Sequence, residues 1–344
     1  MKRQLLVLKF GTASITKASG TPDIEIINEI ARQSAILLKK YRIVIVSSGA
    51  VGAGKHFVQN YEGTISQRKA AAAIGNPLLL KMYDQAFEKY GIKVAQSLLE
   101  RQHFANRQQF LQLKETYEEL WKSNVIPIAN ENDVVSNREL KFSDNDELAT
   151  LIAGGFGANV LMLCTASGGL LDKEGLLVPR VEKIDEHILG MVSKSKTALG
   201  LGGMASKLTF THLANKMGIK VIVFGMKLAD GILNAISENA GTTFLPQEAN
   251  LSAKNKWIAS GAISVGSVII DKGASKALMS RKSLLAVGII SFEGEFESGE
   301  LVEIVDENKQ ILAVGKAKIS SAILQENLKV QNLIFVHADD MVLI

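Results

Sequence analysis

Arg42-Ile43-Val44-Ile45-Val46-Ser47-Ser48-Gly49-Ala50-Val51-Gly52-Ala53-Gly54-Lys55 decides the fold. The β-branched run at 42–46 reads as a buried strand, and the small residues after it mark where a helix begins. A strand that delivers its end to free backbone N–H groups, with a helix behind, is a seat for an anion. The same stretch fits G-x-x-x-x-G-K, the P-loop pattern, up to its last position, where His56 stands in place of Ser or Thr. A P-loop without that hydroxyl lacks a magnesium ligand, and no later apolar strand ends in a convincing Walker B aspartate. The better reading is a carboxylate seat made by Ser48 with the N–H groups of Gly49 and Ala50.

Working outward, apolar runs at 5–8, 94–98, 125–129, 160–164 and 220–224 read as further strands. Helical spacing fills 76–90, 105–122, 146–153 and 204–217 between them. Thr21 and Pro22 read as the N-cap and first-turn proline of one more helix, carrying Ile24, Ile27, Ile30 and Ala31. Strands that are apolar throughout and alternate with helices predict an open, mainly parallel α/β sheet sandwiched by helices. Ligands of such sheets gather beyond the carboxyl ends of the strands, where the glycine and serine turns fall. The rhythm changes after residue 236. Short strands at 264–270, 287–292, 301–305, 311–314 and 333–337, with one helix from 272, predict a small β-rich domain. The expected organisation is an α/β domain at 1–240, a linker at 241–259 and the β-rich domain at 260–344.

A chain of 344 residues with 47% hydrophobic content supports two cores. Its net charge of +4 helps attract anionic metabolites but is too small to argue for nucleic acid. The single cysteine, Cys164, excludes an intrachain disulfide and any cysteine-built zinc site, and it reads as a core thiol. No run approaches a membrane span or a signal peptide, so a soluble cytoplasmic protein without membrane attachment is expected.

Two lysines stand at anion seats. Lys9 ends the first strand and meets Gly11-Thr12-Ala13-Ser14, where Gly11 lets a ligand approach the backbone. Lys207 follows the glycine-rich turn at 200–206 and opens a helix, an unfavourable place for a cation unless an anion compensates it. Asn130-Glu131-Asn132-Asp133 and Ser143-Asp144-Asn145-Asp146 are amide and carboxylate clusters suited to an ammonium group and to orienting lysines, although either also serves as a turn or N-cap. The second cluster lacks the ligand spacing of a calcium loop. His56, His103, His187, His212 and His337 are scattered, so no hydrolase triad is visible. Phosphoryl transfer to a carboxylate needs none, because the acceptor oxygen is already ionised.

Lys9-Phe10-Gly11-Thr12-Ala13-Ser14, Ser47-Ser48-Gly49-Ala50, Asn130-Glu131-Asn132-Asp133, Ser143-Asp144-Asn145-Asp146 and Gly202-Gly203-Met204-Ala205-Ser206-Lys207 occur in that order. The set closely resembles the amino acid kinase family, and the β-rich segment resembles the PUA domain attached to many of its members. Within the family, the Asn-Glu-Asn-Asp and Asp-Asn-Asp pair is similar to the glutamate-phosphorylating branch. The resemblance implies ATP-dependent phosphorylation of the L-glutamate γ-carboxylate to L-glutamyl 5-phosphate, the first step of proline biosynthesis. It implies Lys9 and Lys207 flanking the transferring phosphoryl group and Asp146 holding both lysines. It implies Ser48, Gly49, Asn130, Asp133 and Asn145 for glutamate. For ATP it implies Lys9, Gly11, Thr165, Leu201, Gly202, Gly203, Met204, Ala205, Ser206 and Lys207, with Mg²⁺ carried mainly by the phosphates. Feedback inhibition by proline, a glutamyl-phosphate reductase downstream and a homo-oligomer (dimer or tetramer) follow from the same resemblance. One position departs from it: Ala166 stands where the family usually has Asp after Thr165, which predicts altered nucleotide affinity. Residues 260–344 hold 8 Lys and Arg against 11 Asp and Glu, which argues against RNA as a partner.

Overall fold

The computed structural model describes residues 3–135, 145–191, 204–227, 229–247, 266–308 and 310–343. The chain divides into two units, Met1–Glu100 with Lys114–Ala249, and Arg101–Leu113 with Asn250–Ile344. In the first, β1 (Gln4–Phe10), β2 (Tyr41–Ser47), β3 (Val94–Leu99), β4 (Ile126–Glu131), β5 (Val160–Cys164), β6 (Arg180–Val181), β7 (Lys220–Phe224) and β8 (Thr242–Phe244) form one sheet. Its order is β3-β4-β2-β1-β5-β7-β8-β6. All neighbours are parallel except β7 and β8, so the expected α/β architecture is present.

The register explains where a site forms. One rung runs Ser97–Ala129–Val46–Lys9–Leu163–Val223 across five pairings. The next residues, Ser47, Phe10, Cys164 and Phe224, end four of these strands at a common level, and Asn130 stands at the same level one residue before the end of β4. Period-two alternation sends Leu6, Leu8 and Phe10 into a core with Ile27, Ile30, Tyr83 and Phe87. Lys9, one residue out of phase, takes the opposite face. Chain order reverses about β1, the kind of crevice where open sheets bind ligands.

Several element boundaries differ from expectation. The helix expected at 76–90 runs Ile65–Glu88, capped by Thr64 in a capping box with Gln67. Pro77 lies inside it rather than at its start, on a face where Ala73 and Pro77 are both exposed, so the carbonyl left without its N–H partner is on the wet side. Asp23, not Thr21, caps the helix Ile24–Leu37, its carboxylate accepting from the Glu25 N–H at 3.1 Å. The helix expected at 105–122 is two, Gln102–Ala105 and Arg107–Lys122, separated where Asn106 Oδ1 accepts from the N–H groups of Gln108 and Gln109. The segment expected as linker at 241–259 opens with β8, whose Thr242, Thr243 and Phe244 are buried. Thr242 Oγ1 accepts the Leu170 N–H at 2.8 Å.

The second unit carries β9 (Gly266–Ile270), β10 (Leu284–Leu285), β11 (Ile289–Glu293), β12 (Leu301–Val305), β13 (Ile311–Ala317) and β14 (Ile334–Leu343) in the order β10-β14-β13-β12-β9-β11. Its own core gathers Val268, Ile270, Phe296, Ile304, Phe335 and Val336. The β-rich expectation holds. Among the described residues, no helix is long and apolar enough to cross a membrane.

Candidate active site

Asp146 is the centre. It lies in the first turn of the helix Asn145–Phe156, is 0% exposed, and shares its two carboxylate oxygens between two lysines far apart in the sequence. Oδ1 is 2.5 Å from Lys9 Nζ and Oδ2 is 2.6 Å from Lys207 Nζ. Lys9 comes from β1, and Lys207 from the first turn of the helix Met204–Lys216, both nearly buried. The carboxylate is the anion that makes Lys207 tolerable at that helix start. Two ammonium groups on one carboxylate leave a local surplus of one positive charge in a region of low dielectric. That surplus attracts a further anion strongly.

Burial alone would raise the Asp146 pKa. The charges of Lys9 and then Lys207, with their hydrogen bonds, outweigh it and hold the carboxyl below its ordinary value. A group depressed on folding contributes stability fully above its unfolded pKa and loses it as pH falls through the folded value. The stability difference between wild type and Asp146→Asn is therefore expected to stay constant from neutral pH down to about 4. It should shrink only at lower pH, as read by urea unfolding at a series of pH values.

A second cluster adjoins the first in sequence. Asn145 Nδ2 donates to Ser48 Oγ at 2.7 Å and to Asn130 Oδ1 at 3.0 Å. Gly49, at φ 103°, takes the left-handed turn between β2 and the helix Ala50–Gly54 that puts Ser48 there. An added Cβ on Gly11 would lie 3.3 Å from Lys9 Nζ, so a side chain there would crowd the ammonium group. The expected residues Lys9, Gly11, Asp146 and Lys207, and separately Ser48, Asn130 and Asn145, are thus brought together. Asp133 stands half-buried in the turn after β4, and Met204 and Ser206 lie in the first turn of the Lys207 helix, which Ala205 shares. Thr165 follows β5, its Oγ1 3.3 Å from Ser167 Oγ, with Ala166 exposed between them. Ser143, Asp144, Leu201, Gly202 and Gly203 lie outside the described residues. Cys164 is a core thiol that burial pushes up to about 11.

Two features escaped the sequence reading. Asn76, on the helix Ile65–Glu88, accepts from Asn130 Nδ2 through its Oδ1 at 3.2 Å. The signal was a lone amide among the buried positions Ala72, Gly75, Leu79 and Tyr83 of one helix face. The second is the purpose of the P-loop-like glycines. Cβ atoms added to Gly54 and Gly52 would fall 2.0 Å from Ala71 O and 2.4 Å from Gly20 O. They permit backbone packing, and Lys55 Nζ donates to Ser19 O at 2.9 Å. Lys55→Ala is expected to change turnover by less than about threefold in steady-state assays, as for exposed surface positions.

The profile of the amino acid kinase family matches residues 4–225, and that of the PUA domain residues 266–332. Glutamate 5-kinase of Thermoanaerobacter sp. (strain X514) is 36% identical over 328 residues, which cover 92% of this chain and 88% of that protein. Glutamate 5-kinase of Haemophilus influenzae (strain PittEE) is 34% identical over 368 residues and covers all of both chains. Among solved structures, carbamate kinase from Giardia lamblia bound to AMP-PNP superposes with a TM-score of 0.52 at 17% identity, covering 72% of this chain and 99% of that one. That likeness speaks of the fold. The strand-end lysine, the buried aspartate and the helix-start lysine sit within the stretch matched by the first profile, and the chain belongs to the amino acid kinase family.

Proposed function

We propose that this chain transfers the γ-phosphoryl group of ATP to the γ-carboxylate of L-glutamate, giving L-glutamyl 5-phosphate. The observation that carries the reading is the pair Lys9 and Lys207 on the single carboxylate of Asp146. Phosphoryl transfer passes through a loose state with charge spread over the equatorial oxygens, so catalysis is positioning plus charge stabilisation. Two ammonium groups fixed in advance supply both. Asp146 keeps them from repelling each other, and their positive surplus is left for the phosphates. No base is required, because the acceptor carboxylate is ionised at neutral pH.

Ser48, Gly49, Asn130, Asp133 and Asn145 form the glutamate side in this reading. Gly11, Thr165, Met204, Ala205 and Ser206, with 201–203 ahead of them, form the ATP side. Both oxygens of Asp146 are committed to lysines, which fits Mg²⁺ held by the ATP phosphates, where it would neutralise phosphate charge. The product, an acyl phosphate, hydrolyses readily in water and suits immediate consumption by a reductase, glutamyl-phosphate reductase in proline biosynthesis. Proline inhibition, assembly as a homo-oligomer and a division into a kinase domain and a PUA domain near residues 240–260 extend the same reading. The acidic balance of 260–344 favours a structural or regulatory role for the C-terminal domain over RNA binding.

A coupled ADP-release assay across L-glutamate, L-aspartate and N-acetyl-L-glutamate tests the proposal. Strong preference for L-glutamate is expected. Preference for either of the others, or ADP release independent of any acceptor, would overturn it.

A further inference from the structure

A run of side-chain amides leads from the candidate site into the core. Asn145 Nδ2 donates to Ser48 Oγ and Asn130 Oδ1, and Asn130 Nδ2 donates to Asn76 Oδ1. Asn76 and Asn130 are each 5% exposed. Every amide in the run turns its N–H end toward Asn76's side of the chain, so the three share one direction. That direction leaves two loose ends. Asn145 Oδ1 and Asn76 Nδ2 are buried and, among the described residues, have no hydrogen-bond partner. Ser48, having accepted from Asn145, keeps its own hydroxyl proton to give.

An amide turned over by half a rotation exchanges donor for acceptor in nearly the same volume. Reversing Asn145 would therefore replace its loose carbonyl oxygen with an NH₂ group. An oxygen there suits an ammonium group, and NH₂ does not. Reversing one member alone sets donor against donor or acceptor against acceptor, so the run reverses only as a whole. Asn76 is its inner end, on a 24-residue helix and packed with Leu79, Leu80, Leu98 and Ile128 around a small cavity. Without it, Asn130 Nδ2 loses its partner, and the two remaining amides are no longer tied to that helix.

We infer that Asn76 is a positioning residue for the acceptor amino acid. By bonding to Asn130 it anchors the inner end of the run on the helix Ile65–Glu88 and holds Asn130 and Asn145 in place, with Asn145 Oδ1 open to an α-ammonium group and Ser48 left a proton for a carboxylate. The inference rests on the proposed use of this cluster for L-glutamate, and it adds a residue that touches no substrate.

The test compares wild type with Asn76→Leu and Asn76→Gln on L-glutamate and on glutarate, which lacks the α-amino group. Asn76→Leu keeps the branching and heavy-atom count of the side chain and removes the acceptor. It is expected to raise the KM for L-glutamate about tenfold, the size of one net hydrogen bond. It should also reduce the preference for L-glutamate over glutarate by about tenfold while the KM for ATP stays within about twofold. Asn76→Gln, whose longer side chain has the adjoining cavity to occupy, should restore most of the preference. Should Asn76→Leu not fold, Asn76→Ala removes the same acceptor without new bulk and carries the same expectation. A foldable acceptor-free variant with wild-type discrimination against glutarate would overturn the inference. So would parallel increases in both KM values. Poor use of L-glutamate by the wild type would instead overturn the proposed function, so the two failures are distinguishable.

Discussion

Lys207→Ala is expected to lower kcat by about 10³-fold or more, and Lys9→Ala by a similar factor, in an ADP-release assay at saturating substrates. Each variant removes one of two ammonium groups that meet on Asp146 and cancels the local positive surplus. A loss of 10³ corresponds to about 4 kcal/mol of transition-state stabilisation, within reach of a preorganised charge in a water-poor site. The effect should fall on kcat more than on either KM, because the charge it answers develops on the migrating group. Conversion to arginine should not rescue Lys207. The guanidinium is planar and bulkier, and the space against Asp146 Oδ2 at 2.6 Å fits a compact ammonium. A Lys207→Ala protein that folds and turns over within tenfold of wild type would remove the lysine pair from the mechanism.

The second large effect concerns stability. A Cβ added at Gly75 would lie 1.7 Å from Ala50 O and 2.8 Å from Gly54 N, and one at Gly54 would lie 2.0 Å from Ala71 O. The neighbours are backbone atoms of two helices, Ala50–Gly54 and Ile65–Glu88, so no side chain can swing aside. Gly75→Ala must push the helices apart, at an expected cost of at least about 3 kcal/mol, the upper part of the range for overpacking. For a unit of this size that lowers the thermal midpoint by roughly 6–12 °C. Because the shorter helix follows Ser48 and Gly49 directly, activity should fall with stability. A midpoint within about 2 °C of wild type would mean that the helices yield more cheaply than close packing allows.

How much of this was legible beforehand differs by element. The strands 160–164 and 220–224 were read to the residue, because β-branched and apolar runs bounded by glycine or polar residues have one plausible structure. Lys9 and Lys207 stood out because each occupies a position that needs an anion, a strand end before Gly11 and the start of a helix. Residue chemistry alone shows their common partner, Asp146, as one of several acidic residues in a turn-like cluster, since a buried Asp and an N-cap Asp look alike in sequence, and it is the family resemblance that singles it out. Asn76 was hidden for the same reason in reverse. A single amide on an alanine- and leucine-lined helix face carries no local mark of the contact with Asn130, which is 54 positions away. The strand β8, at the start of the linker expected at 241–259, is not legible because Thr242-Thr243-Phe244 has no apolar run of its own. Its burial comes from pairing with β6 and β7, which is tertiary information. The glycines of 49–54 gave a true signal with two physical sources, since phosphate loops and close helix contacts both need residues without side chains.

In the proposed mechanism the migrating phosphoryl group bonds to an oxygen of the acceptor's γ-carboxylate between the two lysines. L-glutamate labelled with ¹⁸O in the γ-carboxylate, incubated with ATP and the wild-type chain and trapped with hydroxylamine, tests it in one ³¹P NMR spectrum. Hydroxylamine attacks the acyl carbon and releases phosphate bearing the carboxylate oxygen. Inorganic phosphate carrying one ¹⁸O is expected, its signal absent for Lys207→Ala over the same interval. Unlabelled phosphate alone from the wild-type chain would mean transfer to water, and would contradict it.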